Sequence, residues 1–176
     1  SRGINEQTRA YLQDQIAWGN WRFLLGGRYD WTDDDTATAT HTVATGATTP
    51  WVRTHLKNEA FTGRAGVLYA SESGWSPYVS YAESFQPSTT DVNQSYTRTP
   101  FDPITGKQWE TGVKYEPTAI DGLVTFSAYD LSQQNILTDD PDPTHDTCGA
   151  TGTSQCQVQS GEGRVRGVEV EGPITP

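Results

Sequence analysis

The chain is 176 residues long, enough for one domain of ordinary size, and sets 12 Lys and Arg against 22 Asp and Glu for a formal net charge of −10. That balance leaves no basic stripe to neutralise phosphates and argues against nucleic-acid binding. No apolar run is long enough for a membrane helix, and no segment repeats with helical period.

Period-two alternation recurs instead. Residues 8–18 read as a strand whose faces do not separate, because Leu12 and Asp14 fall on the same side. Gly19-Asn20 is a tight hairpin turn. In 21–31, Trp21, Phe23, Leu25, Gly27, Tyr29 and Trp31 share one face, against Arg22, Leu24, Gly26, Arg28 and Asp30. In 61–69, Phe61, Gly63, Ala65, Val67 and Tyr69 oppose Thr62, Arg64, Gly66 and Leu68. In 77–85, Val79, Tyr81 and Phe85 oppose Tyr78, Ser80, Ala82 and Ser84, with Glu83 breaking the apolar side. The clearest strand is 108–116: Gln108, Glu110, Gly112, Lys114 and Glu116 lie on one face, Trp109, Thr111, Val113 and Tyr115 on the other. Residues 123–137 are extended, and in 164–171 Val168 and Val170 oppose Glu169 and Glu171. About seven strands of roughly 9–11 residues result, the length that crosses a bilayer when tilted. The expected fold class is all-β, an antiparallel meander with one lipid face and one aqueous face.

The connections alternate in length. Gly19-Asn20, 71–76 and 117–122 are short; 32–59, 87–107 and 138–163 run to roughly twenty residues or more. Outer-membrane barrels put short turns on the periplasmic side and long loops outside. Trp18, Trp21, Trp31, Trp75, Tyr78, Trp109 and Tyr115 cluster near strand ends, as interfacial girdles require. The chain has no Met and stops just after its last strand, so it is expected to be a piece of a longer protein.

Catalytic signals are absent: no paired-histidine metal motif, no nucleophile elbow and no phosphate loop occur. Cys148 and Cys156 flank a small, flexible segment and read as a local disulfide, hence an oxidising compartment. A metal site is the rival, but His145 is the one nearby imidazole and completes a poor ligand set. His41, His55 and His145 are expected to be solvated loop residues, and Asp139, Asp140, Asp142 and Asp146 a solvated acidic loop. Glu169 and Glu171 resemble a catalytic carboxylate pair in spacing, yet read better as lumen-facing charges paired with Arg164 or with another domain.

Five segments carry a family resemblance. Leu25-Gly26-Gly27-Arg28-Tyr29-Asp30-Trp31, the run from Pro77 to Pro87, the run from Gly106 to Tyr115, the run from Ala128 to Leu137, and Arg166-Gly167-Val168-Glu169-Val170-Glu171-Gly172 occur in this order and spacing. Together they resemble the barrel of TonB-dependent siderophore receptors of the outer membrane, nearest to ferrichrome-type receptors. The resemblance implies a slice of a 22-stranded barrel whose plug domain and final strands lie outside this chain. It also implies a ferric siderophore as ligand, iron carried by the siderophore with no protein-bound cofactor or metal, contact with outer-membrane lipid, and TonB engaged through the plug. Candidate ligand contacts are Trp51, Phe85, Gln86, Tyr96, Phe101 and Trp109. Arg28, Arg64, Glu110, Lys114, Glu169 and Glu171 are expected to face the lumen, where they pair with one another or with the plug. Two rival readings use the same strands: a secreted β-sandwich binding module, which would bury its apolar stripe in a core, and a simple porin, which has no plug.

Overall fold

A computed structural model describes residues 2–39, 41–42, 46–88, 92–117, 122–149 and 154–172. Its strands are β1 (Arg2–Trp18), β2 (Trp21–Thr38), β3 (His41–Thr42), β4 (Ala47–Thr48), β5 (Val52–Tyr69), β6 (Trp75–Gln86), β7 (Ile104–Tyr115), β8 (Val124–Gln134), β9 (Leu137–Asp139), β10 (Gln157–Gln159) and β11 (Glu162–Glu171). One seven-stranded sheet takes the order β1-β2-β5-β6-β7-β8-β11, each strand antiparallel to its neighbours. The pairs β3–β4 and β9–β10 are two-stranded ribbons within the long connections. Two 3-10 turns, Val92–Gln94 and Pro143–His145, are the helical elements among the described residues. Among the described residues no helix is long and apolar enough to cross a membrane.

Antiparallel partners point to the same side of a sheet, so the register assigns every strand's faces at once. Trp21 opposes Tyr69, Phe23 opposes Val67, and Val67 opposes Val79 in turn. Val79 opposes Thr111, and Thr111 opposes Ala128. Ala128 opposes Val168, which closes one continuous apolar face. That face is not packed against a second layer among the described residues. Val168 is 83% exposed, and Trp18, Leu25, Phe61, Trp109 and Val170 are exposed with it. A sandwich module would bury this stripe; here it needs a solvent other than water.

Aromatic rings bracket the stripe. At the short-turn end Trp21 meets Tyr69 edge-on at 5.0 Å, and Trp75 stacks on Tyr115 at 4.1 Å. Toward the long-loop end Tyr29 lies 4.5 Å from Trp31, and Tyr81 lies 4.8 Å from Trp109. Eight to ten residues separate Trp21 from Tyr29 and Trp31. At about 3.3 Å per residue, with a tilt near 40°, the two belts are roughly 20–25 Å apart, the height of a barrel's apolar band.

Three strands depart from their expected lengths. β1 has 17 residues, and β2 and β5 have 18 each. Part of the stretch 32–59 is therefore a continuation of β2 and β5 beyond the aromatic belt, and the connection itself shortens to 39–51. Ion pairs replace apolar contact there: His55 Nδ1 stands 2.7 Å from Asp35 and 3.1 Å from Asp33, and Lys57 Nζ stands 3.5 Å from Asp33. With water on both sides, alternation no longer marks a strand, which is why the sequence reading ended these strands early. β1 also gains its faces from its partner. Trp18 opposes Trp21 and Ile16 opposes Phe23 on the apolar side, and Asp14 falls among them opposite Leu25. Asp14 on β1 and Glu83 on β6 are carboxylates on this otherwise apolar face.

Candidate functional site

The polar face of the sheet carries the charges. Register puts Arg28, Arg64, Glu110, Lys114, Glu169 and Glu171 on the side opposite the apolar stripe. Arg28 Nε donates to Asp30 Oδ2 at 2.6 Å. Arg9 Nε reaches the other oxygen at 3.1 Å without the alignment of a hydrogen bond. Asp30 is only 1% exposed, so this pair of guanidiniums is what permits a carboxylate there. Further along β2, Asn5 Nδ2 donates to Asp34 Oδ1, and Asp34 Oδ2 has no hydrogen-bond partner. Arg9, Tyr11, Gln13, Arg28, Thr62 and Arg64 line a concavity on this face. Tyr11 and Gln13 on its β1 side fit the family resemblance in sequence, but no site role was assigned to them. Arg9, Tyr11, Gln13 and Gln15 do alternate there, a signal readable once Asp14 is treated as the exception.

Lower on the same face Tyr78 is the hub. Its hydroxyl donates to Glu110 Oε1 at 2.6 Å, Gln108 Nε2 donates to Glu110 Oε2 at 3.3 Å, and the Lys114 ammonium lies 5.5 Å from the Tyr78 ring centre. The ring covers Gly112, where a Cβ would come within 2.8 Å of it. Gly167 lies under Tyr129 in the same way. Glycine at these two positions lets an aromatic side chain lie flat across the neighbouring strand.

The pairing of Glu169 and Glu171 with Arg164 is corrected. Residues 164 and 169 differ by an odd number and so point to opposite faces. Arg164 projects from the apolar side beyond the aromatic belt and forks onto Asp130, Nε to Oδ1 at 2.7 Å and Nη2 to Oδ2 at 2.6 Å; Arg166 Nε adds a bond of 2.9 Å.

The aromatic candidates scatter. Phe85 and Trp109 lie on the apolar face, where Phe85 opposes Thr105 and Trp109 opposes Tyr81, which removes them from the polar wall. Gln86 ends β6 on the polar side. Trp51 is exposed just before β5, with the Arg2 guanidinium 6.0 Å from its ring. Phe101 is 9% exposed and, with Cys148 and Cys156, is one of the few buried apolar residues among the described residues. Tyr96 stacks on His145 at 3.9 Å. Cys148 and Cys156 are disulfide-bonded.

Asp139, Asp142 and Asp146 are exposed as expected, and Asp140 alone of the four is buried. Asp140 is 5% exposed; it accepts from Asp142 N at 3.0 Å and contacts His145 Nδ1 at 2.8 Å. The backbone donation from Asp142, then the His145 bond, hold the Asp140 carboxyl below the usual range. Thr144, through its hydroxyl and its N–H, does the same for Asp142. The Asp140 carboxylate in turn raises His145. Among the described residues the one His/Cys/Asp/Glu group compact enough for a metal is Asp33, Asp35 and His55. It lies on the apolar-side extension of β2 and β5 as the cross-strand ion pairs already given.

A family model for the TonB dependent receptor-like β-barrel matches residues 1–173. The chain belongs to the TonB-dependent receptor family. The ferrichrome outer membrane transporter/phage receptor of Escherichia coli K12 is 37% identical over 166 residues, 94% of this chain and 19% of the relative. The ferrioxamine B receptor of Salmonella typhimurium SL1344 is 38% identical over 133 residues, 75% of this chain and 17% of the relative. The chain thus spans about a fifth of the length of these curated relatives. Among solved structures, the ferric-catecholate import receptor Fiu from E. coli K12 superposes with a TM-score of 0.70 at 23% identity, covering 98% of this chain and 26% of that one. The ferripyoverdine receptor of Pseudomonas aeruginosa gives 0.71 at 16% identity, with 98% and 21% coverage. These likenesses fix the fold. TonB-dependent receptors are outer-membrane β-barrels, so the apolar stripe is the lipid-facing surface and the polar face turns inward.

Proposed function

We propose that this chain is part of the barrel of a receptor that binds a ferric hydroxamate siderophore at its outer mouth and imports it with TonB-derived energy. The carrying observation is the 37% identity over 94% of the chain to a ferrichrome transporter, seconded by the ferrioxamine B receptor. Both named ligands are hydroxamates, whose iron is wrapped by the siderophore and leaves no open coordination site for protein ligands. The receptor then needs no resident metal and no catalytic group. Its contributions are shape, aromatic surface and hydrogen bonds. Trp51, Tyr96 and Gln86 stand toward the long-loop end and are the proposed ligand contacts. The concavity around Arg9, Arg28 and Arg64 is proposed to meet the plug domain, through which TonB acts.

The test is ligand binding by the full-length receptor purified in detergent, read as quenching of tryptophan fluorescence. Ferrichrome and ferrioxamine B are titrated beside a ferric catecholate. Saturable binding of a hydroxamate at submicromolar concentration supports the reading. Preference for the catecholate, or binding of neither class, overturns it.

A further inference from the structure

Two long connections, 87–103 between β6 and β7 and 135–161 between β8 and β11, meet through contacts that join residues far apart in the chain. Arg98 Nη2 donates to Thr147 O at 2.9 Å, while its Nη1 holds Asn93 O at 2.9 Å. Gly149 N donates to the same Asn93 carbonyl at 3.1 Å. Ser95 bridges to Gln157 in parallel. Gln159 exchanges two hydrogen bonds with the Asp102 backbone, at 2.8 and 2.6 Å. Asn135 Nδ2 donates to Pro103 O at 3.0 Å. Tyr96 of the first loop lies flat on His145 of the second, 18° from parallel. Arg98 has a φ of 58°, a backbone state that a side chain this large takes only where its surroundings impose it.

The disulfide lies at the centre of this seam. Cys148 stands between Thr147 and Gly149, two residues whose backbone meets the first loop, and Cys156 immediately precedes the bridge residue Gln157. The bond that closes the second loop therefore also sets the spacing of the groups that grip the first. We infer that the Cys148–Cys156 disulfide and the Tyr96–His145 stack lock these two loops into a single body that shifts as one. The coupling is independent of which cargo the receptor carries. It means that a contact made at Tyr96 is transmitted across to the loop between β8 and β11.

Trypsin reports on the seam from one side. Arg98 is the one Lys or Arg within 87–103, and none occurs within 135–161. Cleavage after Arg98 thus reads the first loop, while the disulfide is altered in the second. The full-length receptor is digested in detergent before and after reduction with dithiothreitol, alongside the double variant Cys148→Ser/Cys156→Ser and Tyr96→Ala. Heat-modifiable gel mobility confirms an intact barrel in each sample. Reduction, the double variant and Tyr96→Ala should each speed cleavage after Arg98 by about tenfold or more, because proteolysis follows the population of the undocked state. Arg98→Lys keeps a tryptic site, loses the forked grip and should be cut fastest. An unchanged cleavage rate on reducing the folded wild-type receptor overturns the proposal and makes the disulfide a local staple of one loop. That arm needs no substitution to fold.

Discussion

At the residue scale, the loop histidine and Trp51 make the sharpest claims. His145 has its folded value raised, first by the hydrogen bond to Asp140 and then by the charges of Asp140, Asp142 and Asp146. A raised base stabilises the folded loop fully below its unfolded value of about 6.5 and loses that contribution as pH climbs through the folded value. Asp140 works in the opposite sense: its folded value is lowered, so its contribution is present above about 3.9 and fades as pH falls below that. Docking of the loop should therefore be firmest in mildly acidic solution and weaken toward alkaline pH. An NMR titration of His145 should give a midpoint above 6.5, and Asp140→Asn should return it toward 6.5; equal midpoints would refute the pairing. For ligand contact, Trp51→Ala in the intact receptor should weaken ferric hydroxamate binding roughly tenfold, a typical cost for truncating an aromatic anchor. Trp21→Ala, in the belt near the short turns, should leave affinity unchanged. Equal losses would place Trp51 outside the binding surface.

At the element scale, the sheet is held by register and by the fit of aromatic rings over glycine. A Cβ at Gly112 would collide with the Phe126 carbonyl, which is backbone and cannot turn aside, and would come within 2.8 Å of the Tyr78 ring. A Cβ at Gly66 meets nothing nearer than 3.6 Å. Gly112→Ala is therefore expected to destabilise by about 1–3 kcal/mol through overpacking, with Gly66→Ala near neutral. Midpoints of urea unfolding in detergent compare the two, and equal midpoints would refute the overpacking at Gly112. The charged fork of Arg164 and Arg166 on Asp130 joins β8 to β11 beside Trp109, which opposes Asp130. It shows how completely parity governs partner choice. The spacing that lines up Val168 and Val170 with lipid also carries Arg164 away from Glu169.

At the scale of the whole molecule, one face of a seven-stranded sheet is left to lipid and both edges, β1 and β11, are left open. An open edge and an exposed apolar face favour association in water. The chain alone should aggregate in plain buffer and give a β-type circular dichroism spectrum only in micelles. A cooperative, monomeric fold in detergent-free buffer would contradict the lipid-facing assignment. Much of this architecture was legible from the sequence. Residues 21–31, 61–69 and 108–116 alternate cleanly, and 77–85 does so apart from Glu83, because each has lipid on one side and polar surroundings on the other. The continuations of β2 and β5 were not legible, because strands wet on both sides lose that contrast. The candidate site was less legible still. Phe85 and Trp109 looked like ligand contacts by residue type, and only their cross-strand partners placed them on the apolar face.

The sequence by itself determined the strand count of the sheet, the faces of its central strands and the alternation of short and long connections. Each of these is encoded within a dozen neighbouring residues. Tertiary structure alone decided which side of β1 meets lipid, since the identity of Asp14 misleads until Trp18 is seen opposite Trp21. It alone paired Arg164 with Asp130 and Arg98 with Thr147, contacts 34 and 49 residues apart in the chain. Loop docking of this kind has no period to read. It depends on where the sheet sets the two loop origins, and that is fixed only once β6, β7, β8 and β11 lie side by side.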